Sequence, residues 1–167
     1  WVMWQLFYEQ DRIEDSIANV KAIGTITEAT FKEIFEATDI TLSYCLLIRN
    51  GIDEAMQHLD RVIKGQELYG LKNLIKPLFA TKVSMLLITG DISQARAVFE
   101  DQNLLSKWQQ TKDLEYWDWY FVEAFLRAYA YLLITTNQAK AALQVAQEIR
   151  QKSKATNRPL ITALCDI

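Results

Sequence analysis

The sequence is short of the residues that interrupt helices and of those that build covalent or metal-bound frameworks. Its 167 residues include two prolines and five glycines, so long helices can continue without a break. Two cysteines, Cys45 and Cys165, are too few for a disulfide framework and indicate reduced thiols. His58 is the single histidine. One imidazole and two distant thiols argue against a zinc site.

Basic charge and long apolar runs are also lacking. The formal net charge is −3 and the pI is near 5.2, whereas a nucleic-acid surface normally shows a basic face. No apolar run reaches the ~18 to 20 residues that a membrane span needs. The opening residues, Trp1-Val2-Met3-Trp4, lack the basic lead of a signal peptide. We therefore expect a cytoplasmic chain that contacts neither nucleic acid nor membrane.

One short motif recurs along the chain. A leucine-leucine-isoleucine triplet begins at Leu46, Leu86 and Leu132. Nine residues after each first leucine comes an alanine, at Ala55, Ala95 and Ala141. A weaker copy begins at Phe7, and the copies are separated by 39, 40 and 46 residues. A period of this size is typical of stacked helical hairpins.

The repeat predicts an all-α fold. We expect about four antiparallel helical hairpins in a right-handed superhelix of tetratricopeptide type. An alanine opposite a leucine pair lets two helices approach closely, and stacking buries the apolar face that each hairpin alone would leave in water. Residues 1–167 are expected to form a single helical-repeat domain, cut from a longer chain.

Helix start and stop signals predict the boundaries inside each hairpin. The predicted helices run from Asp11 to near Gly24, Thr27 to about Ile48, Asp53 to about Ile63, near Asn73 to Gly90, Ile92 through Phe99, Asp113 through Leu132, and Gln138 to about Lys152. Pro77 is expected in or just after the first turn of its helix, which places that helix start late. Residues 101–112 are predicted to be an irregular insert.

Three segments in the second half of the chain carry a family resemblance. They are Ala128-Tyr129-Ala130-Tyr131-Leu132-Leu133-Ile134, Gln138-Ala139-Lys140-Ala141-Ala142-Leu143 and Ala155-Thr156-Asn157-Arg158-Pro159-Leu160-Ile161. Together they resemble the helical-repeat sensor domain of MalT-like, LuxR-type transcriptional activators. The segment from Leu86 to Phe99 resembles the preceding hairpin of that family. The likeness covers about half of the chain, and it departs from the family pattern where Thr136-Asn137 and Asn157 replace glycine.

The resemblance implies a large regulator with an ATPase switch on its N-terminal side and a helix-turn-helix reader at its C-terminal end. The superhelix between them would bind an inducer, either a small molecule or a partner protein, and would control self-association. It implies no cofactor in this segment. These motifs are mostly packing signals, so a tetratricopeptide scaffold that docks a partner protein or peptide is the alternative.

No motif in the sequence announces an enzyme. The segment from Gly65 to Lys72 does not match the phosphate-loop motif. Its lysine is one position too far along the chain, and Asn73 occupies the position where the motif requires a serine or threonine hydroxyl. The acidic run at Asp113, Glu115, Asp118 and Glu123 is explained by solvated charges around a helix start. We expect His58 to be a half-exposed surface residue. We therefore predict no catalytic residue and no metal site.

Trp119 is the most suggestive residue for binding. Aligning the long helices on their triplets places it at positions that are polar in the other copies, so it is expected to face water. Tyr116 and Glu123 lie three residues before and four after it, on the same helix face. These three residues form the predicted contact stripe, with rings for stacking and a carboxylate to orient a ligand. Alternatively, Trp119 covers the insert at 101–112, against Trp108.

Overall fold

A computed structural model of the chain describes residues 12–27, 32–68, 72–112 and 119–155. Within these ranges it contains eight α-helices and no β-strand. The helices are α1 Ile13–Thr27, α2 Lys32–Asn50, α3 Ile52–Leu68, α4 Lys72–Ile88, α5 Ile92–Asp101, α6 Leu104–Lys112, α7 Trp119–Thr135 and α8 Ala139–Ala155. None of these described helices is both long enough and apolar enough to cross a membrane. The prediction of an all-α chain is confirmed for these residues.

The chain divides into two compact units, and the first comprises Trp1–Leu78. Here α2 and α3 are joined through Gly51 alone and pack against each other, while α1 packs against α2. The buried apolar side chains of these three helices are Ile17, Val20, Cys45, Ala55, Leu59 and Ile63. They recur at three- and four-residue intervals along α1 and α3, which places them on one face of each helix.

The second unit comprises Phe79–Ile167. In it α7 packs against α8, and α5 and α6 pack against each other and against α7. The buried apolar residues of α5 to α8 are Ala95, Phe99, Leu104, Trp108, Phe125, Leu126, Ala128, Leu132, Leu133, Ala142 and Ile149. Among the residues whose burial the structure describes, α5 to α8 bury three aromatic side chains, Phe99, Trp108 and Phe125, and α1 to α3 bury none.

The turns that follow α4 and α7 share one capping geometry. Gly90 and Asn137 have positive φ angles of 87° and 60°. In each turn the next residue donates its backbone N–H across the helix end, from Asp91 to the Leu86 carbonyl at 2.8 Å and from Gln138 to the Leu133 carbonyl at 2.7 Å. This bond satisfies a carbonyl that the helix end leaves free. Asn137 thus adopts the same left-handed backbone conformation that Gly90 adopts in the other turn.

The repeated triplets have a consistent pattern of burial. Their third members, Ile48, Ile88 and Ile134, are 57%, 55% and 55% exposed. The two leucines before each isoleucine are buried in the second and third copies and half-buried in the first. Each triplet therefore packs through its leucines and leaves its isoleucine in solvent.

The alanine of the third copy differs from the prediction by one residue. Ala55 and Ala95 are both 0% exposed and are the fourth residues of α3 and α5. The fourth residue of α8 is Ala142, which is 6% exposed, whereas the predicted Ala141 is half-buried. Helix α8 begins five residues after the triplet isoleucine Ile134, whereas α3 and α5 begin four residues after theirs, so the buried position moves along by one.

Residues 101–112 are not the irregular insert that the sequence suggested, because α6 occupies Leu104–Lys112. Leu104 and Trp108 are 0% and 3% exposed. Their spacing of four residues puts both side chains on one face of a single helix turn. Burial of that pair against α5 and α7 stabilises a helix too short to form alone.

Two helix ends differ from the predicted ones, and the first is that of α3, which continues past about Ile63 to Leu68. Helix α4 begins at Lys72, next to the predicted start near Asn73, and Pro77 lies just after its first turn, as predicted. The proline removes one backbone hydrogen bond, but its ring is buried, and that burial offsets part of the loss. Helix α1 continues past the predicted end at Gly24 to Thr27. The predicted helix start at Asp113 lies outside the described residues.

The shifted alanine can be tested by adding volume at each position. We expect Ala142→Leu to lower the free energy of unfolding by about 1–3 kcal/mol, because a larger side chain overpacks a buried contact. Ala141→Leu is the matched control, with an expected change of about 0.5 kcal/mol or less. Urea denaturation of both variants measures the difference. Equal losses for the two variants would contradict this register.

Candidate functional site

Four aromatic side chains meet in the second unit. The Phe125 ring, which is 0% exposed, contacts the other three rings. Its centroid is 5.0 Å from that of Trp108, with the rings nearly parallel, and 5.2 Å from that of Tyr129. Phe99 stacks on Tyr129 at 5.4 Å with an interplanar angle of 11°. Helices α5, α6 and α7 are thus joined by one aromatic cluster, formed by Phe99, Trp108, Phe125 and Tyr129.

A groove of ≈ 510 Å³ opens beside this aromatic cluster. Its buried side is formed by Phe99, Leu132 and Leu133, with the half-buried Tyr129 beside them. Its exposed side carries Arg96, Glu100, Asn103 and Gln138. The volume falls within the range of about 300–1,000 Å³ that small-molecule sites occupy. An apolar wall with polar groups on one side suits a ligand that has an apolar body and a polar end.

The charged residues of the groove are available to a ligand. Arg96 and Glu100 are exposed and lie one turn apart on α5. Neither forms an ion pair with another residue in the part of the chain that the structure describes. A ligand that brought a charge to this edge would therefore not have to break an existing contact.

Tyr129 gives the groove a neutral polar group. Burial raises the pKa of its phenol above the ordinary value, because the ionised form would lose solvation. The hydroxyl therefore keeps its proton at neutral pH. It can both donate and accept a hydrogen bond at the edge of a ring whose face is already stacked.

The predicted contact stripe stays a prediction. Tyr116 lies outside the described residues. Trp119 and Glu123 belong to α7, but their side chains also lie outside the described part of the structure. The alternative partner proposed for Trp119, the Trp108 ring, stacks on Phe125.

The sequence did not predict this groove, because residues about thirty positions apart in the chain, such as Phe99 and Tyr129, form its wall. Phe99 belongs to the short helix of one repeat and Tyr129 to the long helix of the next. A usable signal was present within α7, where Phe125, Tyr129 and Leu132 follow the three- and four-residue spacing of one helix face.

His58 is less exposed than the sequence suggested. Its side chain is 13% exposed and lies against Asp39, which is 21% exposed. The distance from Nε2 of His58 to a carboxylate oxygen of Asp39 is 3.3 Å, although the two atoms are not aligned for a hydrogen bond. A partner on the preceding helix, invisible in the local sequence, explains why this polar side chain can be mostly buried.

The buried cysteine has the character of a structural residue. The Cys45 thiol lies 3.6 Å from the Ser16 hydroxyl, to which it donates a weak hydrogen bond between α2 and α1. Burial raises the pKa of the Cys45 thiol, and the contact with Ser16 opposes that effect only in part. Over the described ranges, no group of three or more histidine, cysteine, aspartate or glutamate side chains is placed to hold a metal ion.

Comparison with known proteins gives no relative from which a role could be transferred. No protein-family model, curated protein or solved structure matches the chain.

Proposed function

We propose that the chain is the effector-sensing and self-association segment of a bacterial LuxR-type, MalT-like transcriptional regulator. In this proposal the hairpins continue as a right-handed superhelix of about four tetratricopeptide-like repeats within one domain. The segment works in the cytoplasm, needs no cofactor and carries no catalytic residue. Its ligand is a small-molecule inducer or a partner protein.

The observation that carries this proposal is the groove beside the aromatic cluster. Three helices and a turn contribute to it, because Phe99, Leu105 and Tyr129 belong to α5, α6 and α7, and Gln138 to the turn before α8. A ligand seated there contacts all three helices and the turn at once. The ligand therefore shifts the population toward the helix arrangement that it binds more tightly. The size of this shift is set by the difference in its affinity for the alternative arrangements.

The lining of the groove indicates the chemistry of the inducer. The buried wall offers Phe99 and Tyr129 to an apolar or ring-shaped body, which such rings bind by stacking or by edge contact. The exposed edge offers the Arg96 guanidinium and the Glu100 carboxylate to polar ends. A sugar or a compact amphiphilic metabolite meets both requirements.

A thermal-shift screen of sugars and small metabolites tests the proposal. We expect at least one compound to stabilise the chain, since a ligand at about 100 times its dissociation constant adds about 2.7 kcal/mol. Arg96→Ala should reduce that stabilisation without changing the stability of the free protein, because the side chain is exposed.

Lys140→Ala is the matched control, because this exposed cation lies on α8 and does not line the groove. It should respond to the ligand as the wild type does. A ligand that stabilises Arg96→Ala as strongly as the wild type would contradict the proposed position of the site. A chain that no compound stabilises would contradict a small-molecule inducer.

A scaffold that docks a partner protein or peptide is the second candidate, and the exposed apolar side chains of the second unit favour it. These residues are Ile88, Ile92, Tyr131, Ile134 and Leu143, which are 38–58% exposed. Apolar side chains left in solvent commonly mark contact surfaces when they are contiguous. The coding sequence on either side separates the two candidates, since an upstream ATPase and a downstream helix-turn-helix would favour the sensor.

A further inference from the structure

One face of α5 forms a side of the groove beside the aromatic cluster. It contributes Arg96, Phe99, Glu100 and Asn103, which follow the spacing i, i+3, i+4 and i+7 of a single helix face. Phe99 is 6% exposed and stacks on Tyr129 of α7, whereas Arg96 and Glu100 are exposed. An apolar surface and two opposite charges therefore lie within one turn of each other.

Arg96 and Glu100 are the two charged side chains among the described residues that line the groove. They lie four residues apart on α5, a spacing that makes two side chains neighbours on a helix surface. In the described part of the chain, neither forms an ion pair with the other or with a third residue. A purely anionic ligand would be attracted by the guanidinium but repelled by the carboxylate, and the reverse holds for a cation. The pair therefore favours a ligand that carries both charges close together.

The neutral polar groups of the groove leave this preference unchanged. The Gln138 amide donates to the Thr136 hydroxyl at 3.1 Å, and that hydroxyl donates to the Leu132 carbonyl at 2.8 Å. The Tyr129 phenol stays protonated at neutral pH, because burial raises its pKa. None of these groups carries a net charge, so Arg96 and Glu100 determine which charges a ligand can bring to the groove.

We propose that the groove binds a free aromatic α-amino acid. At neutral pH such a molecule carries an ammonium and a carboxylate on one carbon atom. Its carboxylate accepts hydrogen bonds from the Arg96 guanidinium, and its ammonium donates to the Glu100 carboxylate. Its ring contacts the apolar wall at Phe99 and Leu133. The site is the one that carries the proposed sensing function, so this inference rests on that function and names the chemical class of the inducer.

Isothermal titration calorimetry of the full chain with three matched compounds tests the proposal. The compounds are L-phenylalanine, 3-phenylpropanoate, which lacks the amine, and 2-phenylethylamine, which lacks the carboxylate. We expect L-phenylalanine to bind about three- to tenfold more tightly than either analogue, because each analogue leaves one protein charge without a partner. Absence of L-phenylalanine binding would overturn the proposal, as would an analogue that binds equally well.

Glu100→Gln and Arg96→Ala assign each ligand charge to its partner. Glu100→Gln should weaken L-phenylalanine binding by about three- to tenfold and remove the preference over 3-phenylpropanoate. Arg96→Ala should weaken it to a similar degree and remove the preference over 2-phenylethylamine. Both side chains are exposed, so we expect the two variants to fold as the wild type does. Preferences that survive both substitutions would overturn the assignment.

Asp101→Asn is the matched control for Glu100→Gln. Asp101 is exposed and follows Glu100 on α5, but it does not line the groove. This variant removes the same charge from the same helix and should keep the affinity of the wild type for L-phenylalanine. A loss as large as that of Glu100→Gln would show that the general charge of α5 matters rather than a contact, and the proposed position of the ammonium would be wrong.

Failure of this inference can be distinguished from failure of the proposed function. If a sugar or another metabolite stabilises the chain and the stabilisation depends on Arg96, while L-phenylalanine does not bind, the groove is a sensing site and the amino-acid class is wrong. If neither L-phenylalanine nor any other small molecule binds, the small-molecule sensor and the amino-acid class are both wrong.

Discussion

Replacing Phe125 with alanine is expected to lower the free energy of unfolding of the second unit by about 3–5 kcal/mol. The ring is 0% exposed and contacts Trp108, Tyr129 and Phe99, with centroids 5.0, 5.2 and 6.1 Å away. Alanine removes the apolar surface that this ring buries and leaves a cavity between three helices. It also removes the aromatic contacts, each worth about 0.5–1.5 kcal/mol beyond burial.

Tyr131→Ala is the control for Phe125→Ala. Tyr131 lies on the same helix and is 44% exposed, so we expect its loss to change the free energy of unfolding by about 0.5 kcal/mol. Urea denaturation followed by circular dichroism measures both variants. If Phe125→Ala cost no more than Tyr131→Ala, the aromatic cluster could not be the core of this unit.

Replacing Leu59 with alanine is expected to cost the first unit about 2–5 kcal/mol. Leu59 is 0% exposed and lies one turn after Ala55, which is also 0% exposed, on the buried face of α3. The close approach of α2 and α3 leaves little freedom for neighbouring side chains to fill the space. The cost therefore includes a cavity as well as the lost apolar burial.

Leu68→Ala makes the same chemical change at the end of the same helix. Its side chain is 80% exposed, so the expected change is about 0.5 kcal/mol or less. Denaturation midpoints of the two leucine variants provide the comparison. Similar midpoints would show that α3 does not bury the face assigned to it.

The helical class and the hairpin turns were predictable because they depend on local sequence. The triplet and the turn residues after it fix where each long helix ends, and the turn hydrogen bonds at Gly90 and Asn137 involve only residues five positions apart. Each of these signals involves residues within one or two helical turns of each other. The helix ends therefore form without contacts to distant parts of the chain.

The buried alanine of α8 was less predictable, because a count from the triplet assumes a constant distance from the triplet to the next helix. One additional residue between Ile134 and the start of α8 moves the buried position from Ala141 to Ala142. Helix α6 was missed for another reason. Its nine residues are too few to be helical by propensity, and the burial of Leu104 and Trp108 depends on partners in α5 and α7.

The candidate site could not be predicted from periodicity. The pairs Phe99–Tyr129 and His58–Asp39 join residues on different helices, and nothing in either local sequence specifies its partner. Repeat patterns report which face of a helix is apolar. They do not report where two such faces leave a groove.

The neighbouring alanines at the start of α8 bear on how this protein tolerates changes in chain length. One residue added to or removed from a turn rotates the following helix by about 100° relative to its contacts. Adding one residue before α8 would bring Ala141 to the fourth helical position, so a methyl group would still meet the opposing helix. The same insertion before α5 would put Gln94 there in place of Ala95. The connection before α8 can therefore lengthen by one residue and keep a small buried side chain, whereas the connection before α5 cannot.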